Sequence, residues 1–207
     1  FKHFSKLPHL AWFILAMGLF NFAHWVYPAT FNYFGVIAFD WTPGTIGLAL
    51  GAVGVGSAIV QAGLIGPVMK RFGPTRLAFF GFAVSVAVFA AYSVATEGWM
   101  IFVIIPFGAL SGFLGPALNQ IMTARVPRNA QGELQGALAS VQALGNVFSP
   151  IVMTQTLFYF THKDAPAYFP GAAFALAAII TAISMLPLIK GLQTVPKAVD
   201  ETPPADE

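Results

Sequence analysis

Six runs of nearly unbroken apolar residues divide this chain, at roughly 9–34, 45–69, 77–95, 99–122, 134–160 and 171–189. Each is long enough to cross the hydrocarbon core of a bilayer, which takes about 20 mostly apolar residues in a helix. A backbone inside lipid must satisfy its own hydrogen bonds, so only helices and closed barrels can span it. Barrel strands would alternate apolar and polar residues over about ten positions, and no such alternation is present. The predicted fold class is therefore an all-α membrane protein with six transmembrane helices over residues 1–192. A final segment, residues 193–207 (QTVPKAVDETPPADE), is rich in proline and acid and predicts a disordered cytoplasmic tail.

Composition agrees with this and removes other classes. Only 9% of the residues are charged and 57% are hydrophobic, against about 25% charged in soluble domains. The net charge of +2 is spread singly or in short groups between apolar runs, which excludes the clustered basic stripe of a nucleic-acid binder. Without cysteine there are neither disulfides nor thiolate metal sites. The G-x-S-x-G, H-E-x-x-H and G-x-x-x-x-G-K-[ST] signatures are also absent, and no nucleophile and base pair suggests catalysis. The chain opens FKHFSKLPHL with no initiator Met, so it is expected to begin inside a longer protein.

Basic residues orient the bundle, because they remain on the cytoplasmic side. Lys2 and Lys6 precede the first span, Lys70, Arg71 and Arg76 join the second and third, Arg125 and Arg128 join the fourth and fifth, and Lys190 and Lys197 follow the sixth. Lys163 alone falls on the other side, where Trp41, Trp99, Tyr159 and Tyr168 fit an interfacial aromatic belt. Both ends of this segment are therefore expected in the cytoplasm. Thr42 and Pro43 read as the N-cap and first residue of a helix, and Pro127 as a break. Asn129 reads as the cap of the fifth span, with Glu133 in its first turn complementing the helix dipole.

Polar residues inside the spans fall at helical spacing. In the first span Asn21, His24, Pro28 and Asn32 share a face, and in the fifth Gln135, Gln142, Asn146 and Ser149 do so, followed by Pro150, which is expected to bend the helix. Such residues avoid lipid and point to a bundle interior or a water-filled cavity; the plainer alternative is that they hold helices together. The third and sixth spans carry few polar groups and are expected to face lipid. His24 is the only ionisable side chain deep within a span. It could carry a coupled proton, but with no carboxylate nearby the residues alone favour a neutral packing histidine. Gly47, Gly51 and Gly54, continued by Ala58 and Gln61, form a small-residue stripe on the second span, and Gly108, Gly112 and Gly115 form one on the fourth. Stripes of this kind allow close helix packing.

The segment GPVMKRFGPTR from Gly66 resembles the loop signature repeated in the second half of major facilitator superfamily transporters. GPALNQIMTARVPRNAQGELQGALASV from Gly115 and SPIVMTQTLF from Ser149, with PATF from Pro28, IVQAGLIGPV from Ile59 and EGW from Glu97, resemble the C-terminal half of its tetracycline-resistance branch, the bacterial drug:proton antiporters. The resemblance implies one half of a twelve-helix fold, whose partner is the N-terminal six-helix half of the same chain, in the bacterial inner membrane. It implies export of an amphipathic small molecule, tetracycline among the candidates, by alternating access around a midplane site. The proton would be the coupling ion, and no other cofactor is implied. The first and fourth spans would line the cavity, with the third and sixth peripheral. Substrate would meet Asn21, His24, Asn32, Gln61, Gln142 and Asn146. Gly66, Lys70, Arg71, Gly73 and Arg76 would form the loop signature, while Gln131, Gly132, Gln135 and Gly136 would help close the inner gate. Gly132 and Gly136 would do so by allowing a neighbouring helix or loop close to the backbone. Where tetracycline exporters carry an acidic residue, in the helix matching the third span, this chain aligns Ser85. A complete six-helix homodimeric transporter and a non-transporting membrane scaffold remain alternatives, and an intramembrane enzyme is the weakest.

Overall fold

Proline placement sets much of the architecture. The computed structural model describes residues 8–194, and every regular element among them is helical. The first span comprises α1 (Pro8–His24) and α2 (Val26–Phe39). The second comprises α3 (Pro43–Ala58), a π-helical turn (Ile59–Leu64) and α4 (Ile65–Phe72), and the third is α5 (Pro74–Val94). The fourth comprises α6 (Gly98–Leu110), a 3-10 turn (Ser111–Phe113) and α7 (Leu114–Thr123). The fifth is α8 (Gln131–Tyr159), entered through a 3-10 turn at Arg128–Ala130, and the sixth is α9 (Ala172–Gln193). All six spans are long and apolar enough to cross a membrane. Lys2, Lys6, Lys197 and the tail from residue 195 lie outside the described residues.

Three of the breaks have a common cause. Proline has no N–H for the carbonyl four residues before it and its ring crowds that carbonyl. Pro28 withholds a donor from His24, where α1 gives way to α2. Pro67 withholds one from Gly63, and the turn before it widens so that the Ile65 N–H bonds the Val60 carbonyl, five residues back. Pro116 withholds one from Gly112, inside the 3-10 turn of the fourth span. By contrast α8 continues without interruption through Pro150.

The caps follow the sequence in part. Thr42 caps α3 by accepting the Thr45 N–H at 3.3 Å, with Pro43 next in the helix. Gly73 turns the chain between α4 and α5 at φ 76°, a left-handed conformation that glycine adopts without strain. Asn129 does not cap the fifth span: Ala130 holds the N-cap position and no side chain caps it. The 3-10 turn carries Asn129 one residue too early to reach the orphan amides of α8.

The third and sixth spans each present an exposed apolar stripe, and their opposite face is covered within the bundle. The third and sixth spans are the best covered, half of each apolar window being buried, against 11% for the second span and 22% for the fifth. Each shows lipid only a stripe, Phe80 and Val94 on α5 and Ile179, Ile183 and Leu186 on α9. The inward faces carry hydroxyls that bond their own helix: Ser85 donates to the Gly81 carbonyl at 2.7 Å and Thr181 to Ala177 at 2.7 Å. A hydroxyl satisfied in this way can be buried at little cost, so the covered face of each span needs no partner from another helix for these groups. At the basic end Phe13, Phe82, Leu114, Leu118 and Leu188 are fully or nearly fully buried, and toward the other end so are Phe34, Phe89, Tyr92, Ile101 and Phe174. The second-span glycine stripe does not make the expected close contact. A Cβ on Gly47, Gly51 or Gly54 would meet nothing, whereas one on Gly56 would lie 3.2 Å from the Ala109 Cβ. The fourth span sits against a face of the second about half a turn from the stripe.

Candidate functional site

The breaks in the second and fourth spans pack against each other, with Gly112 of one beside Val60 of the other. Beside them opens a cavity of about 510 Å³, formed by the first, second and fourth spans with Tyr92 of α5 behind. Irregular backbone at membrane depth is tolerated where it is buried in protein or lines a cavity, and interrupted helices are a recurrent way of building a binding site. The π-helical turn places Gln61 on the cavity wall, one helical turn beyond Ser57; Ser111 and Gly112 come from the 3-10 turn opposite. From the first span come His24, Tyr27, Pro28, Phe31 and Asn32, on both sides of the break at Trp25.

Aromatic rings form the back of the cavity. The Tyr27 ring centroid lies 5.2 Å from that of His24 and 5.6 Å from that of Tyr92, and Tyr92 stacks on Phe174 at 5.0 Å. His24, Asn32 and Gln61 are all exposed, and among the described residues no hydrogen bond engages the His24 ring nitrogens or either amide. Among the described residues no Asp, Glu, Lys or Arg lines the cavity. Such a wall can stack a planar ring and offer it neutral donors and acceptors. His24 is the one lining group whose charge ordinarily changes near neutral pH. No cluster of three or more His, Asp or Glu suited to a metal ion occurs among the described residues.

Of the residues expected to face substrate, the structure brings together His24, Asn32 and Gln61. Asn21 is half-buried outside the cavity and donates to the Met17 carbonyl at 2.9 Å. On α8, Gln142 is half-buried and Asn146 exposed, and neither lines this cavity. Their stripe partners do hold helices together: Ser149 donates to the Phe22 carbonyl at 2.5 Å and Gln135 to Asn119 Oδ1 at 3.3 Å. The residues that sequence reasoning missed are Tyr27, Ser57, Tyr92 and Ser111. Ser57 stands four before Gln61 and could have been read from that spacing; Tyr92 sits on a helix assigned to lipid. Ser85, buried against its own helix, lies outside the cavity. A second hollow of about 590 Å³ between α1 and α8 is almost wholly apolar and includes Gly18, Leu19, Val141 and Phe148.

The loop residues lie apart from the cavity. Gly66, Lys70, Arg71 and Arg76 are exposed around the Gly73 turn. Gln131, Gly132, Gln135 and Gly136 are exposed at the start of α8, where a Cβ on either glycine would meet nothing. Among the described residues no element makes the close approach expected there. Nearby, Arg125 donates to the Ile121 carbonyl at 2.7 Å and lies 5.3 Å over the Phe13 ring, and Lys190 lies 5.0 Å over Trp12. Partial burial lowers the Arg125 pKa, though a guanidinium stays charged at any physiological pH.

The model of the Major Facilitator Superfamily matches residues 1–150. The chain belongs to this superfamily. Among relatives of the superfamily chain, it is 38% identical over 121 residues to the class G tetracycline resistance protein of Vibrio anguillarum, a stretch that is 58% of this chain and 31% of that protein. It is 36% identical over 121 residues to the class C protein of Escherichia coli, with the same shares. To the class D protein of Salmonella ordonez it is 30% identical over 148 residues, 72% of this chain and 37% of that one. The matched region thus spans about a third of each relative. Major facilitator membership and the six membrane-length helices make this a multi-pass membrane protein.

Proposed function

We propose that this chain is the C-terminal half of a proton-driven efflux transporter for amphipathic, ring-bearing drugs, with tetracyclines as the first candidates. It works by alternating access against an N-terminal six-helix half, in the bacterial inner membrane with both ends of this segment in the cytoplasm. The observation that carries the reading is the cavity where two interrupted helices meet, walled by rings and uncommitted amides. The relatives' description as tetracycline resistance proteins supports the substrate class. In this reading Gln61 and Asn32 hydrogen-bond the drug, the Tyr27 ring packs against it with Tyr92 buried behind, and His24 exchanges the proton. Asn21, Gln142 and Asn146 serve the face that meets the other half. The basic loop and the start of α8 serve the inner gate.

The test is drug accumulation in cells expressing the full-length protein, with and without a protonophore. Lowered tetracycline accumulation that the protonophore restores is expected. Export of another amphipathic drug, with tetracycline unaffected, would move the specificity within the same mechanism. No export of any compound across a broad panel would refute transport and favour a scaffold role.

A further inference from the structure

At the basic end of the bundle, away from the substrate cavity, a second kind of site lies between α4 and α5. It is a groove of about 290 Å³ walled by Val68, Phe72, Leu77 and Phe80, with Arg76 at its mouth. Two of its walls are open outward: Phe72 is 48% exposed and Phe80 47%. The groove lies where the Gly73 turn, at φ 76°, joins two helices that touch little.

The charge beside it is one-sided. Lys70, Arg71 and Arg76 surround the Gly73 turn, and no Asp or Glu stands anywhere between Asp40 and Glu97. No ion pair to any of the three forms among the described residues; Arg71 instead lies 5.6 Å over its neighbour Phe72. A groove that is apolar along its length, lined by one arginine and open outward at Phe72 and Phe80 matches a molecule with an acyl chain and an anionic head. A soluble anion would gain nothing from the four apolar walls, and a zwitterionic lipid would gain little from the three cations. Guanidinium groups bind phosphate through paired N–H donors, and basic pockets between transmembrane helices are suited to anionic head groups.

We propose that the α4–α5 groove binds an anionic phospholipid, with an acyl chain along Val68, Phe72, Leu77 and Phe80 and the head-group phosphate on Arg76. Lys70 and Arg71 add to the attracting field. The site is independent of what the protein transports.

The test uses the purified full-length protein, with retained lipid counted by native mass spectrometry after addition of dioleoyl phosphatidylglycerol or dioleoyl phosphatidylcholine. The wild type should retain phosphatidylglycerol preferentially. Arg76→Gln removes one cation at an exposed position, so it should lower that retention about fivefold without disturbing the fold. Val68→Phe, which fills the groove without changing charge, should also lower it. Arg128→Gln, an exposed cation on the same side of the bundle but off the groove, should leave it unchanged. Equal retention of the two lipids, no effect of either Arg76→Gln or Val68→Phe, or an equal loss from Arg128→Gln would each overturn the proposal.

Discussion

Replacing Gln61 with leucine tests the cavity most directly. The side chain is exposed on the wall and makes no hydrogen bond among the described residues, so leucine leaves no partner unpaired inside the protein. Leucine is of similar size and a good helix former, so the π-helical turn and the shape of the cavity should survive. What is lost is the amide's donor and acceptor toward the drug. One net hydrogen bond is worth roughly 1 kcal/mol, so losing one or both should raise KM about five- to thirtyfold. The bonds are made with bound drug in any conformation, so kcat should change less than KM. The assay is energised drug uptake into inverted membrane vesicles carrying the full-length protein, with the amount of protein measured by immunoblot. Gln155→Leu makes the same chemical change on an exposed part of α8 outside the cavity and should leave KM unchanged. An unchanged KM for Gln61→Leu, or an equal rise for Gln155→Leu, would refute the assignment of this cavity to substrate.

Other substitutions test the coupling and the packing. His24→Leu should abolish proton-driven accumulation while drug-for-drug exchange persists, because the proton carrier is gone and the rest of the wall remains; loss of both activities, or of neither, would remove His24 from the coupling. Ser149→Ala deletes the hydrogen bond to the Phe22 carbonyl that ties the fifth span to the first. It should destabilise the full-length protein by about 0.6–1.7 kcal/mol in reversible unfolding from mixed micelles, the range found for hydrogen bonds between membrane helices. Gly171→Ala would drive a Cβ into the backbone carbonyl of Ser93, and a cost of about 1–3 kcal/mol for overpacking should appear as a lower thermal midpoint and reduced yield; wild-type stability would mean that this joint is not tight.

Some of this was legible in the residues. Thr42 before Pro43 announced the start of α3, and the run of Asn21, His24, Pro28 and Asn32 pointed to one helix face, three members of which line the cavity. Gln61 was reached only as the continuation of the second-span stripe and through the family resemblance. The parallel stripe on α8 did not extend the same cavity: two of its members, Gln135 and Ser149, bond to neighbouring helices. Spacing reports which residues share a face but not what the face meets.

The sequence by itself determined the number of spans, their helical nature and the end at which cations gather, because the bilayer enforces these on each segment separately through apolar length, backbone satisfaction and charge. Only the tertiary structure decided which helices are covered, that Gly56 rather than the Gly47, Gly51 and Gly54 stripe takes the close approach, and that Tyr92 on the inner face of the third span closes the cavity. Those outcomes depend on how two helices are rotated against each other. In a chain where 57% of residues are hydrophobic, nearly every face is apolar enough to pack, so the pattern of hydrophobicity that fixes rotation in a soluble helix carries little information here.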